Sequence, residues 1–277
     1  MSRAVILQHA SYAGPGRIVP VFRDFGIPCD VRRLYQGDEV PTDLDELRLL
    51  VVLGGPMRVA DIADPKYPFL AKEVELLQRM IQHDRPVLGI ALGAQLLAHA
   101  GGAKVYPNVK MGPPGGPGQP PKPVEPIEPL PEFGWGGVQF PFPGGTEPIV
   151  YGCVDGSPMF HWHWDTFDLP KLPAPANPPP PPAPPPATGN SLLSTTRTCR
   201  NQAFRFKNHL FGFQYHMEFT EADIEAVLSN DAENLVRAGG NVEQIRSDTK
   251  KNHSRYVRVG DRILTNFVQF LKAYEAR

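Results

Sequence analysis

The chain has 277 residues, of which 41% are hydrophobic and 21% are charged, and its formal net charge is −1. A chain of this length buries a large core, and its near-neutral charge gives no reason to expect nucleic acid or an anionic membrane as a partner. No apolar run approaches the roughly 20 residues that span a bilayer, and three widely spaced cysteines exclude a disulfide framework, so a cytoplasmic protein is expected.

Strand and helix patterns alternate through the first hundred residues. Apolar runs predict strands at 4–10, 29–35, 47–55 and 86–90, and helices are predicted at 18–26, 67–84 and 92–100. In the 67–84 segment Leu70, Val74, Leu77 and Ile81 repeat on one face, which is typical of an amphipathic helix. Continuous apolar strands between amphipathic helices predict an α/β fold with three layers, in which helices cover both faces of a mostly parallel sheet.

The second half of the chain contains shorter strand patterns. Strands, several of them antiparallel, are predicted at 133–140, 148–154, 191–198, 202–208 and 210–216. Thr220 and Asp223 have the spacing of a capping box and predict the start of a helix. Apolar residues at helical spacing predict a last helix over 262–276.

Many of the 33 prolines fall in two segments, a Gly/Pro-rich one at 112–131 and a Pro-rich one at 171–187. Proline lacks a backbone N–H and fixes φ, so neither segment is expected to form a helix or a central strand. We interpret residues 1–277 as a single domain that carries these two segments as loop insertions. A docking site for a proline-reading partner is the alternative for 171–187.

Two glycine-containing turns follow predicted strands, Gly54–Met57 and Gly89–Gly93. The carboxyl ends of parallel strands meet at one edge of a sheet, so both turns should face one crevice. A small residue two places on either side of a central residue is typical of a turn that presents a nucleophile. The central residue here is Ala91, which has no reactive group.

Five segments in this order resemble the class I glutamine amidotransferase-like family, particularly the amidotransferase domain of GMP synthase and its stand-alone relatives. They read GGPM (54–57), GIALGAQ (89–95), FHWHWDTFDLP (160–170), NQAFRF (201–206) and GFQYHMEFT (212–220). The resemblance covers nearly the whole chain except the proline-rich segments, and it implies the flavodoxin-like fold of that family. The family has cysteine where this chain has Ala91, and the chain also departs from the family pattern at Trp164, Tyr215 and Met217.

The resemblance implies a cysteine–histidine–glutamate triad at Ala91, His216 and Glu218. In the family a cysteine thiolate attacks the γ-amide of glutamine, ammonia leaves, and water releases glutamate from the thioester. A thiolate needs a neighbouring imidazole to remove its proton, and the imidazole needs an acceptor that fixes its tautomer. If the strand continued through 216–218, His216 and Glu218 would share one face of it.

The resemblance also implies supporting residues. Backbone N–H groups of Gly55 and Leu92 are expected to hold the oxyanion, and Gln95 is expected to contact the glutamyl part of the substrate. His161 and His163 would share one face of a strand, but no third metal ligand has suitable spacing. The family needs no metal there, so no metal or other cofactor is expected.

Ala91 leaves the activity of this chain open. The cysteine was deliberately replaced, or it was lost naturally, or another group performs different chemistry in the same fold. As it stands, the chain is expected to be inactive or only to bind. The expected partners are glutamine or a γ-glutamyl small molecule and a synthetase subunit that accepts ammonia. The alternatives are a natural pseudo-amidotransferase that binds such a ligand or a protein, and a stand-alone γ-glutamyl peptide hydrolase whose cysteine was mutated.

Overall fold

A seven-stranded sheet forms the centre of the protein in a computed structural model, which describes residues 3–112, 122–172 and 189–275. The strands of the protein are β1 (Arg3–Gln8), β2 (Cys29–Arg33), β3 (Leu47–Val52), β4 (Val87–Ile90), β5 (Val105–Pro107), β6 (Glu132–Val138), β7 (Ser157–His163), β8 (Asp165–Phe167), β9 (Asn190–Ser194), β10 (Ala203–Phe206) and β11 (Leu210–Phe213). The central sheet has the order β2-β1-β3-β4-β11-β10-β9. Its first five strands are parallel, and β10 and β9 are antiparallel to their neighbours. Two further antiparallel pairs, β5 with β8 and β6 with β7, lie outside it.

Helices cover both faces of this sheet. They are α1 (Ile18–Asp24), α2 (Phe69–Gln82), α3 (Leu92–Ala100), α4 (Glu221–Arg237) and α5 (Val242–Glu275). Side chains of β1 alternate between two apolar clusters, with Ala4 and Ile6 in the cluster that includes α1 and α5, and Val5 and Leu7 in the cluster that includes α2 and α3. The predicted three-layer α/β fold with a mostly parallel sheet is confirmed.

Several element boundaries differ from the sequence prediction. The strand predicted at 148–154 is wrong, because Pro148–Val150 forms a 3₁₀ turn and Gly152 has a φ of +81°. Proline provides no N–H for a strand ladder, and a positive φ interrupts extended backbone. Helix α5 begins at Val242, well before the predicted start at 262, and its first half is too polar to give a clear apolar period.

The capping box at Thr220 and Asp223 is confirmed. The Thr220 backbone N–H donates to Asp223 Oδ2 (2.8 Å), and the Asp223 N–H donates to Thr220 Oγ1 (3.2 Å). These two bonds satisfy donors that the first turn of a helix would otherwise leave unpaired. They fix the start of α4 directly after the segment that contains His216 and Glu218.

Parts of both proline-rich segments, residues 113–121 and 173–188, lie outside the described residues, and the single-domain interpretation with two insertions stays a prediction. The described flanks of the first segment pair with each other. Gly112 N–H donates to the Lys122 carbonyl and Val124 N–H donates to the Lys110 carbonyl. None of the helices described is long and apolar enough to cross a membrane.

The carboxyl ends of β3, β4 and β11 lie side by side in the sheet. Gly89 of β4 pairs with Val52 of β3 on one side and with Gly212 of β11 on the other. Because these parallel strands end level with each other, the residues that follow them converge. The turn Gly54–Met57, the turn at Ala91 and the segment around His216 therefore meet at one edge of the sheet.

The turn from β4 into α3 is shaped by close backbone packing. A Cβ atom on Gly93 would lie 2.0 Å from the Val52 carbonyl oxygen, so only glycine lets α3 approach β3 at this distance. Ala91, immediately before α3, has φ 49° and ψ −111°. A non-glycine residue in such a conformation costs about 1–3 kcal/mol, a strain typical of residues at functional sites.

We expect Gly93→Ala to lower the free energy of unfolding by about 1–3 kcal/mol or more, because the added methyl group overlaps the backbone of β3. Urea denaturation is the measurement. Gly14→Ala is the matched control, since a Cβ at Gly14 would meet only the end of the Gln8 side chain at 3.7 Å. Equal stability of the two variants would contradict the proposed constraint.

Candidate active site

A buried histidine–carboxylate pair lies beside the turn at Ala91. His216 Nδ1 donates to Glu218 Oε1 (2.7 Å), and the Met217 backbone N–H donates to Glu218 Oε2 (2.8 Å). Both side chains are at most 5% exposed. Since Nδ1 donates to the carboxylate, a neutral His216 carries its lone pair on Nε2. This nitrogen is then able to accept a proton from a neighbouring group.

The pair is held outside the sheet. Strand β11 ends at Phe213, earlier than predicted, so the contact between His216 and Glu218 forms in an irregular segment rather than across one face of a strand. His216 is fixed by its backbone N–H, which donates to the Phe160 carbonyl (2.8 Å), and by the Phe219 ring, which stacks on the imidazole at 4.1 Å. The imidazole therefore has a defined orientation.

Ala91 and His216 both contact the turn after β3. A Cβ atom on Gly54 would lie 2.8 Å from His216 Cε1 and 3.3 Å from Ala91 Cβ. Residue 54 must therefore be glycine for the two side chains to sit where they do. Gly55 and Leu92 line the same pocket, together with Gln95. The structure thus brings together all six residues predicted from the sequence, without testing the roles assigned to them.

Gln95 is buried on the first turns of α3. Its amide Nε2 donates to Gln214 Oε1 at 3.3 Å. The pocket beside it also contains an ion pair, in which Arg58 binds Asp165 through two hydrogen bonds, one of them Nε to Oδ2 at 2.8 Å. The hydrogen bonds that Arg58 donates to Asp165 raise the pKa of Arg58, so the guanidinium stays charged.

An aromatic wall lines the same pocket as the turn Gly89–Gly93, which we call the elbow. The wall consists of Phe133, Trp162 and Trp164, and the Phe133 ring contacts each of the two indole rings edge to face. Trp162 Nε1 donates to Asp231 Oδ2 (2.6 Å), and Trp164 Nε1 donates to Asn234 Oδ1 (3.2 Å). These bonds fix both indole rings against α4. The sequence alone did not identify most of these residues as part of a site, because their contacts join segments that are far apart in the chain.

A second buried histidine–carboxylate pair supports the turn after β3, and sequence reasoning missed it. His9 Nε2 lies 3.0 Å from both oxygens of Glu73, and Nδ1 lies 3.2 Å from the Gly54 carbonyl oxygen. Burial disfavours the charged imidazole, but the Glu73 carboxylate and the Gly54 carbonyl outweigh it, and the pKa of His9 is raised. The available signal was Glu73, a charged residue on the apolar face of α2.

A cluster of Glu132, His161 and His163 lies next to the aromatic wall. Their ligand-type atoms all fall within 4.8 Å of one another. No third ligand was expected for the two histidines, and that expectation is wrong, because antiparallel pairing of β6 with β7 places Glu132 opposite His163. Burial lowers the pKa of His161 to about 4. Burial opposes the charged form of Glu132, but its histidine partners outweigh it and lower its pKa.

Comparison with known proteins identifies the family. The model for class I glutamine amidotransferases matches residues 16–235 of this chain. The glutamine amidotransferase-like protein YfeJ of Salmonella typhimurium is 26% identical over 240 residues, which cover 86% of this chain and 84% of the relative. The chain therefore belongs to the class I glutamine amidotransferase family.

Solved structures show the same fold. A glutamine amidotransferase from Thermotoga maritima superposes with a TM-score of 0.74 at 22% identity, covering 98% of each chain. A protein described as a subunit of GMP synthase, from Thermoplasma acidophilum, has a TM-score of 0.58 at 19% identity, covering 100% of this chain and 97% of the other. At these identities the likeness concerns the fold alone.

We expect His9→Gln to destabilise the protein by about 3 kcal/mol near pH 6, because it leaves Glu73 buried without its charged partner. The raised pKa of His9 contributes stability that is fully present below its unfolded value of about 6.5 and is lost as pH rises through the folded pKa. The difference in unfolding free energy between wild type and variant should therefore narrow as the pH rises above 6.5 in denaturant unfolding. Glu75→Gln, an exposed change on the same helix, is the control. A gap that widens with pH would contradict this assignment.

Proposed function

We propose that this chain binds glutamine or another γ-glutamyl compound at the turn after β4 and does not cleave it. The observation that carries the proposal is the combination of a strained, nucleophile-type backbone at Ala91 with the buried His216–Glu218 pair next to it. We place Ala91 at the position of the family's catalytic cysteine. An alanine methyl group has no lone pair with which to attack a carbonyl carbon, so the covalent route is closed.

The same geometry supports catalysis when residue 91 is cysteine. His216 Nε2 would take the thiol proton, and the thiolate would attack the γ-carbonyl carbon. As the carbon–nitrogen bond breaks, the proton passes to the leaving ammonia or amine and a thioester remains. Water, deprotonated by His216, then cleaves the thioester to release the glutamyl acid and restore the thiol. Glu218 keeps Nδ1 protonated and stabilises the imidazolium that forms in each step.

The remaining predicted residues receive binding roles in this proposal. Backbone N–H groups of Gly55 and Leu92 would hold the developing oxyanion, and Leu92 is favourably placed because it begins helix α3, where backbone N–H groups have no partners within the helix. Gln95 would contact the glutamyl group. Their positions along the pocket beside Ala91 and His216 support these roles.

No other cysteine is suited to replace the missing thiol. Burial raises the pKa of Cys153 to about 11 and that of Cys199 to about 12, so both thiols are protonated at neutral pH. Neither residue lines the pocket, and the third cysteine, Cys29, is likewise absent from its lining. A protonated thiol is a poor nucleophile. The proposal of binding without turnover therefore does not depend on Ala91 alone.

A γ-glutamyl peptide is the second candidate ligand. The pocket continues from the elbow to the aromatic wall and to Asp231 and Asn234 of α4, so its lining extends beyond the residues assigned to the glutamyl group. A different role, in which ammonia passes to a separate acceptor subunit, requires a cysteine at residue 91. Co-purification of such a subunit would support that role over peptide binding.

We expect the chain to bind glutamine or a γ-glutamyl dipeptide with a dissociation constant in the millimolar range or tighter, without release of ammonia or glutamate. Isothermal titration calorimetry, with product analysis of the same samples, is the measurement. Gln95→Ala should weaken binding about tenfold, the loss of one hydrogen bond. Gln78→Ala, an exposed change on α2, should leave it unchanged. No detectable binding at millimolar ligand would contradict the proposal.

Replacing the methyl group with a thiol tests the reaction geometry. Ala91→Cys should create glutaminase or γ-glutamyl hydrolase activity at least about 100-fold above that of the present chain, because the histidine and carboxylate are already in place. Rates on glutamine and on γ-glutamyl peptides would distinguish the two substrate classes.

The controls isolate the triad. Ala91→Ser adds a hydroxyl group, which is similar in size to a thiol but loses its proton much less readily. The rate of this variant should therefore stay near that of the present chain. Adding His216→Gln to Ala91→Cys should lower the new activity by a factor of about 10² to 10⁴. If Ala91→Cys is inert on every substrate while folding normally, the reconstructed triad is wrong and a binding role alone remains.

A further inference from the structure

Three ligand-type side chains meet between strands β6 and β7, outside the elbow and the His216–Glu218 pair. Glu132 Oε2 lies 2.9 Å from His163 Nε2 and 3.5 Å from His161 Nδ1. Both histidine side chains are at most 3% exposed and that of Glu132 is 11% exposed. We propose that these residues bind a first-row divalent metal ion, for which Zn²⁺ is the best match to two imidazoles and one carboxylate.

The first argument concerns the protons of His163. Its Nδ1 lies 3.0 Å from the Asp165 carbonyl oxygen, which accepts only from an N–H. A neutral imidazole then has its lone pair on Nε2, and Nε2 faces the Glu132 carboxylate at 2.9 Å. Two electron-rich atoms at this distance require a cation between them, either a second proton or a metal ion. A histidine whose other nitrogen donates to a carbonyl group is the usual arrangement for a metal ligand.

The second argument concerns His161. His161 Nδ1 makes no hydrogen bond of ordinary geometry within the described residues, although the side chain is buried; the Gly136 backbone interacts with the same ring. A buried polar group without a partner costs roughly 1–3 kcal/mol. Its Nδ1 is directed toward the Glu132 carboxylate but stays 3.5 Å away. A metal ion between them would give this nitrogen a ligand bond that the protein alone does not provide.

The third argument concerns the spacing of the ligand atoms. Two atoms that each lie about 2.0–2.1 Å from a tetrahedral Zn²⁺ ion are about 3.3 Å apart. The separations of Glu132 Oε2 from the two histidine nitrogens, 2.9 and 3.5 Å, fall on either side of this value, and all three ligand atoms lie within 4.8 Å of one another. Glu132 is held in place independently, since Thr196, Thr198 and Gln202 all donate hydrogen bonds to its carboxylate. The carboxylate therefore already lies close to ligand spacing from both histidines.

The position of the cluster indicates what the ion would do. His163 lines the pocket, and Trp162 and Trp164 are its neighbours in the chain. A metal ion bound to β6 and β7 together would fix this pair of strands and with it the aromatic wall. Three protein ligands also leave a fourth tetrahedral position for water or for a group of the pocket ligand.

The test uses the full chain, freed of metal by a chelator and titrated with Zn²⁺. We expect one ion per chain, and at least about a 100-fold loss of affinity in both His161→Gln and His163→Gln. His99→Gln, an exposed change, controls for surface binding, and His216→Gln controls for binding at the His216–Glu218 pair. Neither control should lower the affinity. Absence of stoichiometric binding would overturn the proposal and identify a proton as the cation between His163 and Glu132. Binding that is unchanged in both His161→Gln and His163→Gln would also overturn it.

A second measurement does not rely on the folding of variants. Loading the unmodified chain with Co²⁺ should give visible absorption bands of a four-coordinate site without a sulfur-to-metal charge-transfer band, because the proposed ligands are nitrogen and oxygen. X-ray absorption of the Zn²⁺-loaded protein should show nitrogen and oxygen at about 2.0–2.1 Å. A sulfur ligand, or a shell with no imidazole scattering, would overturn the assignment.

Discussion

The level ending of three adjacent parallel strands is the constraint on which the site depends. Residues Val52, Gly89 and Gly212 of β3, β4 and β11 stand in register across the sheet. Each strand then delivers a different component to the same edge, namely a glycine turn, the elbow and the imidazole. Backbone hydrogen bonds between the strands set these relative positions, so they do not rest on the side chain of residue 91. This separation of scaffold from chemistry explains how the arrangement tolerates an alanine.

Buried polar groups form an outer layer around this edge. His9 with Glu73 supports the Gly54 carbonyl from beneath, and Glu132 with its two histidines supports the strand that leads to the aromatic wall. Charges in such positions cost desolvation energy and are stabilising only when well paired. Each pair joins segments that lie far apart in the chain, so it restricts how these segments are arranged. The pocket is thus defined from two sides by interactions that are not themselves reactive.

The sequence predicted those strands and helix ends that depend on residues close together in the chain. Apolar runs located the central strands to within a few residues, and the capping box at Thr220 follows from a spacing of three. Contacts that depend on tertiary register were out of reach. Glu132 meets His163 only because two strands separated by a long connection pair antiparallel, and His9 meets Glu73 across 64 positions. The first half of α5 was missed because it is rich in charged residues, and buried side chains such as Tyr256 hold it to the core.

The strained backbone of Ala91 would be more easily occupied by glycine than by alanine. A left-handed φ gives no benefit to a methyl group, and glycine in this place would relieve the strain at no chemical loss. The chain nevertheless keeps a side chain there, directed into the pocket beside Gly55, His216 and Phe219. The Cβ atom of Ala91 therefore lies where the proposed reaction would place the nucleophile. In the proposed reaction, a single sulfur atom at this position would separate a chain that cleaves its ligand from one that only binds it.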